Sequence, residues 1–221
     1  MIRLLAAILL LGLVACVPAT TQQQLPTNCQ ADATQVELLA ENWLQQPGIW
    51  RLRQSALLEL GPKKLPMEGF LRLDLQKREA RLLAMNDMGL VLFDLLISEN
   101  EQQLKHAIPQ LQQIKGFAQG VAQSMRQIFL TPTPKSTDLL QNRGNSQRLW
   151  RPLHGGSLGF VFDCQSELRE TRQVSDSDDW RVAYDLYQTF GSARLPERIV
   201  LNDYRHNLKL SLWMREVKLE P

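Results

Sequence analysis

Ile49-Trp-Arg-Leu-Arg-Gln-Ser-Ala-Leu-Leu-Glu-Leu60 is the stretch on which the fold turns. Trp50, Leu52, Ala56, Leu58 and Leu60 fall on one side of a two-residue period, while Arg51, Arg53, Ser55 and Glu59 fall on the other. Successive side chains of a strand point to opposite faces, so this pattern predicts a half-buried β-strand. Gly61-Pro62-Lys63-Lys64 turns the chain. A second alternating run then sets Met67, Leu71, Leu73 and Leu75 against Glu68, Arg72 and Asp74. A third, Ala80 to Met85, follows a polar turn at Gln76 to Arg78, and Asn86-Asp87-Met88-Gly89 leads to a fourth, Leu90 to Ile97. Four sequential strands joined by short turns predict an antiparallel meander.

The flanks of the meander read as helices. Upstream, Thr34 followed by Glu37 fits a capping box, and Val36, Leu39, Ala40, Trp43 and Leu44 share a helical face up to Pro47-Gly48. Downstream, the meander stops at Ser98 to Gln103, and Pro109 opens a long predicted helix at a position where its missing N–H costs nothing. Its apolar stripe runs Leu111, Ile114, Phe117, Ala118, Val121, Ala122, Met125, Ile128 and Phe129. Gly116 and Gly120 inside it each cost about 1 kcal/mol relative to Ala, which suggests close approach to another backbone. Thr131-Pro132-Thr133-Pro134 ends this helix, and a polar linker runs to about Asn145. Strand patterns then resume at 148–153, 158–164, 167–173, 180–190, 198–201 and 208–214. The expectation is an α+β domain: a curved antiparallel sheet of about ten strands, an incomplete barrel plugged by two main helices.

Composition and charge exclude other classes. The chain has 221 residues, 44% hydrophobic and 22% charged, close to a soluble globular average and unlike a disordered or multi-span membrane chain. A net charge of +2 gives no Lys/Arg surplus for phosphate contacts, so no nucleic-acid partner is expected. His106, His154 and His206 sit in no ligand spacing, and Asp176, Asp178 and Asp179 lack the Gly and distal Glu of an EF-hand loop. No Walker or dinucleotide glycine pattern occurs, and neither a metal nor a cofactor is expected. Gly155-Gly156-Ser157-Leu158-Gly159 satisfies G-x-S-x-G, with acidic residues and His206 following in hydrolase order. A nucleophile elbow needs a helix after the Ser, whereas the residues here alternate as a strand, so a Gly-rich hairpin turn is the preferred reading.

The N-terminus carries an address. Arg3 precedes an apolar run of fourteen residues, Leu4 to Val17, shorter than the ~20 that span a bilayer. It reads as a signal-peptide core. Leu13-Val14-Ala15-Cys16 resembles the lipobox of bacterial lipoproteins, in which the Cys is lipidated and becomes the first mature residue. The resemblance implies a signal peptide at 1–15 and a lipidated Cys16. With Val17 and not Asp after the Cys, it also implies anchoring in the outer membrane, facing the periplasm. Residues 16–33, rich in Pro, Thr, Gln and Asn, are expected to form a flexible tether, and 34–221 a single domain. Two further cysteines remain. Cys29 and Cys164 either form a disulfide, stabilising by roughly 4 to 5 kcal/mol in the chain-entropy model, or stand apart as thiols, depending on whether their Cα atoms come within reach.

The element order, helix, meander, helical insertion and second strand set behind a lipobox, resembles the LolA/LolB-like superfamily of periplasmic lipoprotein carriers. The closing segment from Leu195-Pro196 to Trp213-Met214 looks like that family's final hairpin, in which two strands cross the mouth of the shell. The resemblance implies an apolar cavity for acyl chains, in a protein that binds a lipid, an acyl chain or a lipidated protein without covalent chemistry. Candidate lining residues are Trp50, Leu58, Leu73, Met85, Leu92, Phe117, Val121, Tyr184 and Leu210, each of which could equally be dry core. Leu65, behind Lys63 and Lys64, is a loose candidate for an apolar turn touching the membrane, with an ordinary inward-facing turn residue as the alternative. An assembly lipoprotein that binds a protein partner is the second functional expectation, and a serine esterase using Ser157 the third.

Overall fold

The computed structural model describes residues 29–46, 48–130, 132–191 and 193–220. The lipobox, Cys16 and the signal segment lie outside the described residues.

Among the described residues, twelve strands form one antiparallel sheet in the order β5-β4-β3-β2-β1-β12-β11-β10-β9-β8-β7-β6. These are β1 (Ile49–Leu60), β2 (Lys63–Asp74), β3 (Glu79–Met85), β4 (Val91–Ile97), β5 (Gln102–Ala107), β6 (Leu139–Asn142), β7 (Ser146–Leu153), β8 (Gly156–Asp163), β9 (Leu168–Val174), β10 (Asp179–Phe190), β11 (Ala193–Asp203) and β12 (Leu208–Glu220). Two strands, β5 and β6, were not expected. All but Ala107 of β5 and all of β6 are exposed, so neither carries the buried alternation by which a strand can be read. The sheet is curved and unclosed, with β5 and β6 as its edges. Register shifts beside Arg53, Ala84, Asp94 and Val161 add the local bend and twist that bulges bring.

The closing hairpin holds the sheet's centre. The expected mouth-crossing strands, β11 and β12, instead join the two halves of the sheet, with β12 pairing along β1 from Ile49 opposite Glu220 to Leu60 opposite Leu208. The first strand of the domain thus finds its partner in the last. Trp50, Leu52, Gln54, Ala56 and Leu58 share the concave face with Leu73, Leu71, Gly69, Met67 and Leu65 on one side. On the other side they meet Met214, Leu212 and Leu210.

The helices are shorter than their sequence patterns suggest. Helix α1 covers only Gln35–Ala40, with the capping box of Thr34 and Glu37 in place. The backbone N–H of Thr34, hydrogen-bonded to the Glu37 carboxylate, holds that carboxyl below its usual range. Because the helix ends after six residues, its inward residue is Leu38, fully buried, while Val36 is 75% exposed. A single 3₁₀ turn, Trp43–Gln45, then inserts Trp43 and Leu44 into the core.

The long helix expected after Pro109 is broken into α2 (Pro109–Gln112), α3 (Phe117–Met125) and a π-helical segment, Arg126–Leu130. The break falls at Gly116, whose φ of +76° is a left-handed conformation that only Gly adopts without steric cost. The expected close backbone approach at Gly116 and Gly120 does not occur, since an added Cβ at either would meet open space. Gly116 is there for its backbone conformation.

Cys29 and Cys164 form a disulfide, with Cα atoms 6.0 Å apart. Ala31 is buried and donates its N–H to the Gly144 carbonyl, and Gln147 Nε2 donates to the Ala33 carbonyl. The described part of the composition-defined tether therefore lies against the strands at the β6 edge.

Candidate functional site

The concave face is apolar at its centre and, among the described residues, is covered by the 117–130 strip together with the 3₁₀ turn that carries Trp43 and Leu44. The π-helical segment brings Ile128, Phe129 and Leu130 onto the sheet, all buried. Trp43 meets Trp50 edge-on at 6.3 Å between ring centroids and Phe129 edge-on at 6.2 Å. Phe117 of α3 stands edge-on to Phe93 at 5.1 Å. Such contacts add ~0.5–1.5 kcal/mol beyond area burial.

Polar contacts made by Arg126, Tyr184 and Gln127 tie this strip to the sheet. Arg126 is buried and donates to the carbonyls of Ser98 (2.8 Å) and Glu101 (2.7 Å) and to Gln102 Oε1 (3.0 Å), all around the β4–β5 turn. Burial lowers its pKa. The Tyr184 hydroxyl donates to the Ile128 carbonyl at 3.2 Å, and its burial pushes its own pKa up. Gln127 Nε2 reaches Asp203 Oδ2 at 3.5 Å. Arg126 sits between Met125 and Ile128 of the apolar stripe, and no sequence pattern distinguished it as an anchor.

The expected lining residues divide into three groups. Trp50, Leu73 and Tyr184 have no exposure at all, and Leu92 and Leu210 are buried, so in this state they are packed core. Leu58, Phe117 and Val121 are only half-buried, as are Leu65 and Met67 near Leu58 on the concave side of β1 and β2. Met85 is a correction: it pairs with Glu68, opposite in sense to Leu82 and Ala84, and so faces the convex side. The register shift at the same place leaves Leu92 as the extra residue of a bulge, which is why it is buried beside Phe93. Leu65 lies within β2 and is half-buried; the exposed apolar tip is instead the β3–β4 turn, with Met88 83% and Leu90 54% exposed.

Packing beneath the strip leaves polar atoms unserved. Trp43 Nε1, Trp50 Nε1, Gln54 Oε1 and Gln127 Oε1 are buried without a hydrogen-bond partner among the described residues. Each such group costs ~1–3 kcal/mol relative to its solvated state. The two indole N–H groups are donors and the two amide oxygens acceptors, so a guest with polar atoms, or water, would find partners of both kinds.

Ser157 belongs to β8, opposite Pro152 on β7 and Val174 on β9, and the residues after it continue the strand. Gly155 supplies the turn with φ of +67°, and a Cβ on Gly156 would overlap the Val174 carbonyl, which explains both glycines as hairpin residues. Among the described residues no helix is long and apolar enough to cross a membrane.

The fold is similar to that of a LolA superfamily protein. A LolA superfamily protein from Nitrosomonas europaea superposes with a TM-score of 0.54 at 9% identity, covering 86% of this chain and 95% of that one. A putative outer membrane lipoprotein-sorting protein domain from Vibrio parahaemolyticus gives 0.48 at 8% identity, covering 83% and 89%. A DUF1329 family protein from Desulfovibrio piger gives 0.42 at 6% identity, also covering 83% and 89%. No protein-family model matches the chain, and no curated protein does.

Proposed function

We propose that this chain is an outer-membrane lipoprotein, anchored through Cys16 and facing the periplasm, that binds a lipid, an acyl chain or the acyl chains of a lipidated protein on its concave face without covalent chemistry. The observation that carries the reading is the cover over that face. A wide apolar surface is closed by a narrow strip, Phe117 to Leu130, and the Trp43–Gln45 turn beside it, with the strip held by a few polar contacts and four polar atoms buried unserved. Its π-helical turns belong to a class that is frequent at functional sites. Displacing the strip would expose Leu73 and Tyr184 beside the half-buried Leu58, a surface matched to a hydrocarbon chain. Burying methylenes there contributes ~0.8 kcal/mol each, which would act against the loss of the strip's own contacts. Met88 and Leu90 form the apolar tip that would meet a bilayer.

Native mass spectrometry of the delipidated protein, with titration of a fluorescent fatty acid, tests the proposal. Co-purified lipid or saturable uptake supports it, and absence of both refutes it. For the anchor, Cys16→Ala should lose labelled palmitate and membrane fractionation; a variant that keeps both would sink the anchoring argument.

A second reading, an assembly lipoprotein docking a partner by strand addition, is favoured by one observation. The edge strand β6 is free of charged residues and leaves Leu139 and Leu140 exposed, without the lysines that ordinarily guard an edge.

A further inference from the structure

A cleft of about 330 Å³ lies between the end of α1 and the β8–β9 turn, walled by Trp43, Leu168 and Tyr187 and by the charged groups Glu41, Glu167 and Arg194. Its volume is at the lower end of small-molecule sites, a few hundred Å³. The charges are built in depth. Asp163, whose side chain is fully buried, accepts from Arg169 Nε at 2.6 Å and from the backbone N–H groups of Gln165 and Glu167. Arg169, stacked over the Tyr187 ring at 5.0 Å, donates its Nη2 to Glu167 at 2.6 Å. The other Glu167 oxygen accepts from Arg194 Nε at 2.5 Å.

Two carboxylates and two guanidiniums thus alternate from the interior to the cleft wall and cancel in charge. Arg194 spends only its Nε in this chain, so the two Nη groups of an oriented fork have no partner among the described residues. Glu41, on the same cleft, makes no ion pair among the described residues. The site therefore offers one pre-oriented donor pair for an oxyanion, one uncommitted carboxylate for an ammonium, and aromatic and aliphatic walls between them.

We infer that this cleft binds a small zwitterion, an ammonium and an oxyanion joined by a short carbon stem. The chemistry is shared by a free amino acid and by the phosphoethanolamine headgroup of a phospholipid. The inference does not depend on an acyl chain entering the concave face.

Isothermal titration of the full chain with O-phosphoethanolamine, glycine and a short-chain phosphatidylethanolamine tests it, with ethanolamine and inorganic phosphate as single-charge controls. The zwitterions should bind saturably and the controls about tenfold more weakly, since each loses one charge-assisted contact. Glu41→Gln and Arg194→Gln should each weaken zwitterion binding by about tenfold. Arg194→Lys, which keeps the charge but not the fork, should fall between; the urea midpoint of Glu41→Gln should match the parent because its side chain is exposed and unpaired among the described residues, while Arg194→Gln should lower it by leaving the buried Glu167 short of a partner. Preference for the phospholipid over O-phosphoethanolamine assigns the headgroup, and preference for glycine assigns an amino acid. No saturable binding of any zwitterion, or affinities unchanged in both neutralised variants, would overturn the inference. Fatty-acid uptake measured on the same variants keeps the two proposals apart, because neither substitution touches the strip over the concave face.

Discussion

Replacing both Cys29 and Cys164 with Ala should lower the stability of the domain by close to 5 kcal/mol. The bond spans 135 residues of chain, and loop-closure entropy for a ring of that size corresponds to ~5 kcal/mol at 25 °C in the chain-entropy model. This is a large part of the ~5–15 kcal/mol that holds an ordinary domain folded. The loss should be close to the full entropic value because the ends have other native contacts. Ala31 still donates to Gly144, and Gln147 to Ala33, so the native state keeps its geometry while the unfolded chain gains freedom. Urea titration is the assay. With a slope of ~2–3 kcal/mol per molar, the midpoint should fall by ~2 M, and reduction of the parent protein should reproduce the shift. A loss below ~1 kcal/mol would refute the reasoning, because it would mean the bond constrains little in the unfolded ensemble.

Tyr184→Phe removes the donor to the Ile128 carbonyl and should cost ~1–3 kcal/mol; if the strip is the cover of the ligand site, the variant should also take up fluorescent fatty acid faster, and unchanged kinetics would count against that role. Asp94 is held below its ordinary value of 3.8, chiefly by its hydrogen bond with Arg81, so its contribution to stability is complete above 3.8 and is lost as pH falls through the depressed value. The gap in urea midpoint between the parent and Asp94→Asn should accordingly close under acid and stay constant at neutral pH. Gly156→Ala should destabilise the domain by ~2 kcal/mol or more through overlap with the Val174 carbonyl, whereas Ser157→Ala should leave the urea midpoint and any background ester hydrolysis unchanged; loss of a genuine esterase activity in the Ser variant would restore the catalytic reading.

Strands that bury one face were legible in the sequence, and those that bury neither were not. The runs of β1 to β3 and of β8, β10 and β12 alternate over much of their length because a core lies on one side of them. Gln102–Ala107 and Leu139–Asn142 form strands at the two edges, where hydrogen bonds to one neighbour fix the backbone and no burial selects the side chains. Parity also failed at the bulges. Met85 has the parity of the convex side within β3, opposite to Ala80, Leu82 and Ala84, and one extra residue in β4 leaves both Leu92 and Phe93 buried. Leu186 left the alternation of β10 likewise, with φ of +56° and its side chain exposed. For the site, the aromatic residues were visible as apolar positions, but Arg126 and the Asp163-Arg169-Glu167-Arg194 chain were invisible. Their partners lie two to dozens of residues away, at spacings that belong to no motif.

By itself the sequence determined the local conformations: the two-residue period of the strands, the Thr34–Glu37 cap, and the positive φ that Gly116 and Gly155 permit. These follow from side-chain sterics and short-range hydrogen bonding, which act within a few residues. Only the tertiary structure decided that β12 closes on β1, that a broken helix lies over the concave face, and that Trp50, Leu73 and Tyr184 are covered while Leu58, Phe117 and Val121 are half-exposed. An apolar residue carries the same transfer free energy whether it meets a neighbouring side chain or a guest. Which of the two it meets depends on how much of the sheet the covering strip and the Trp43 turn can reach.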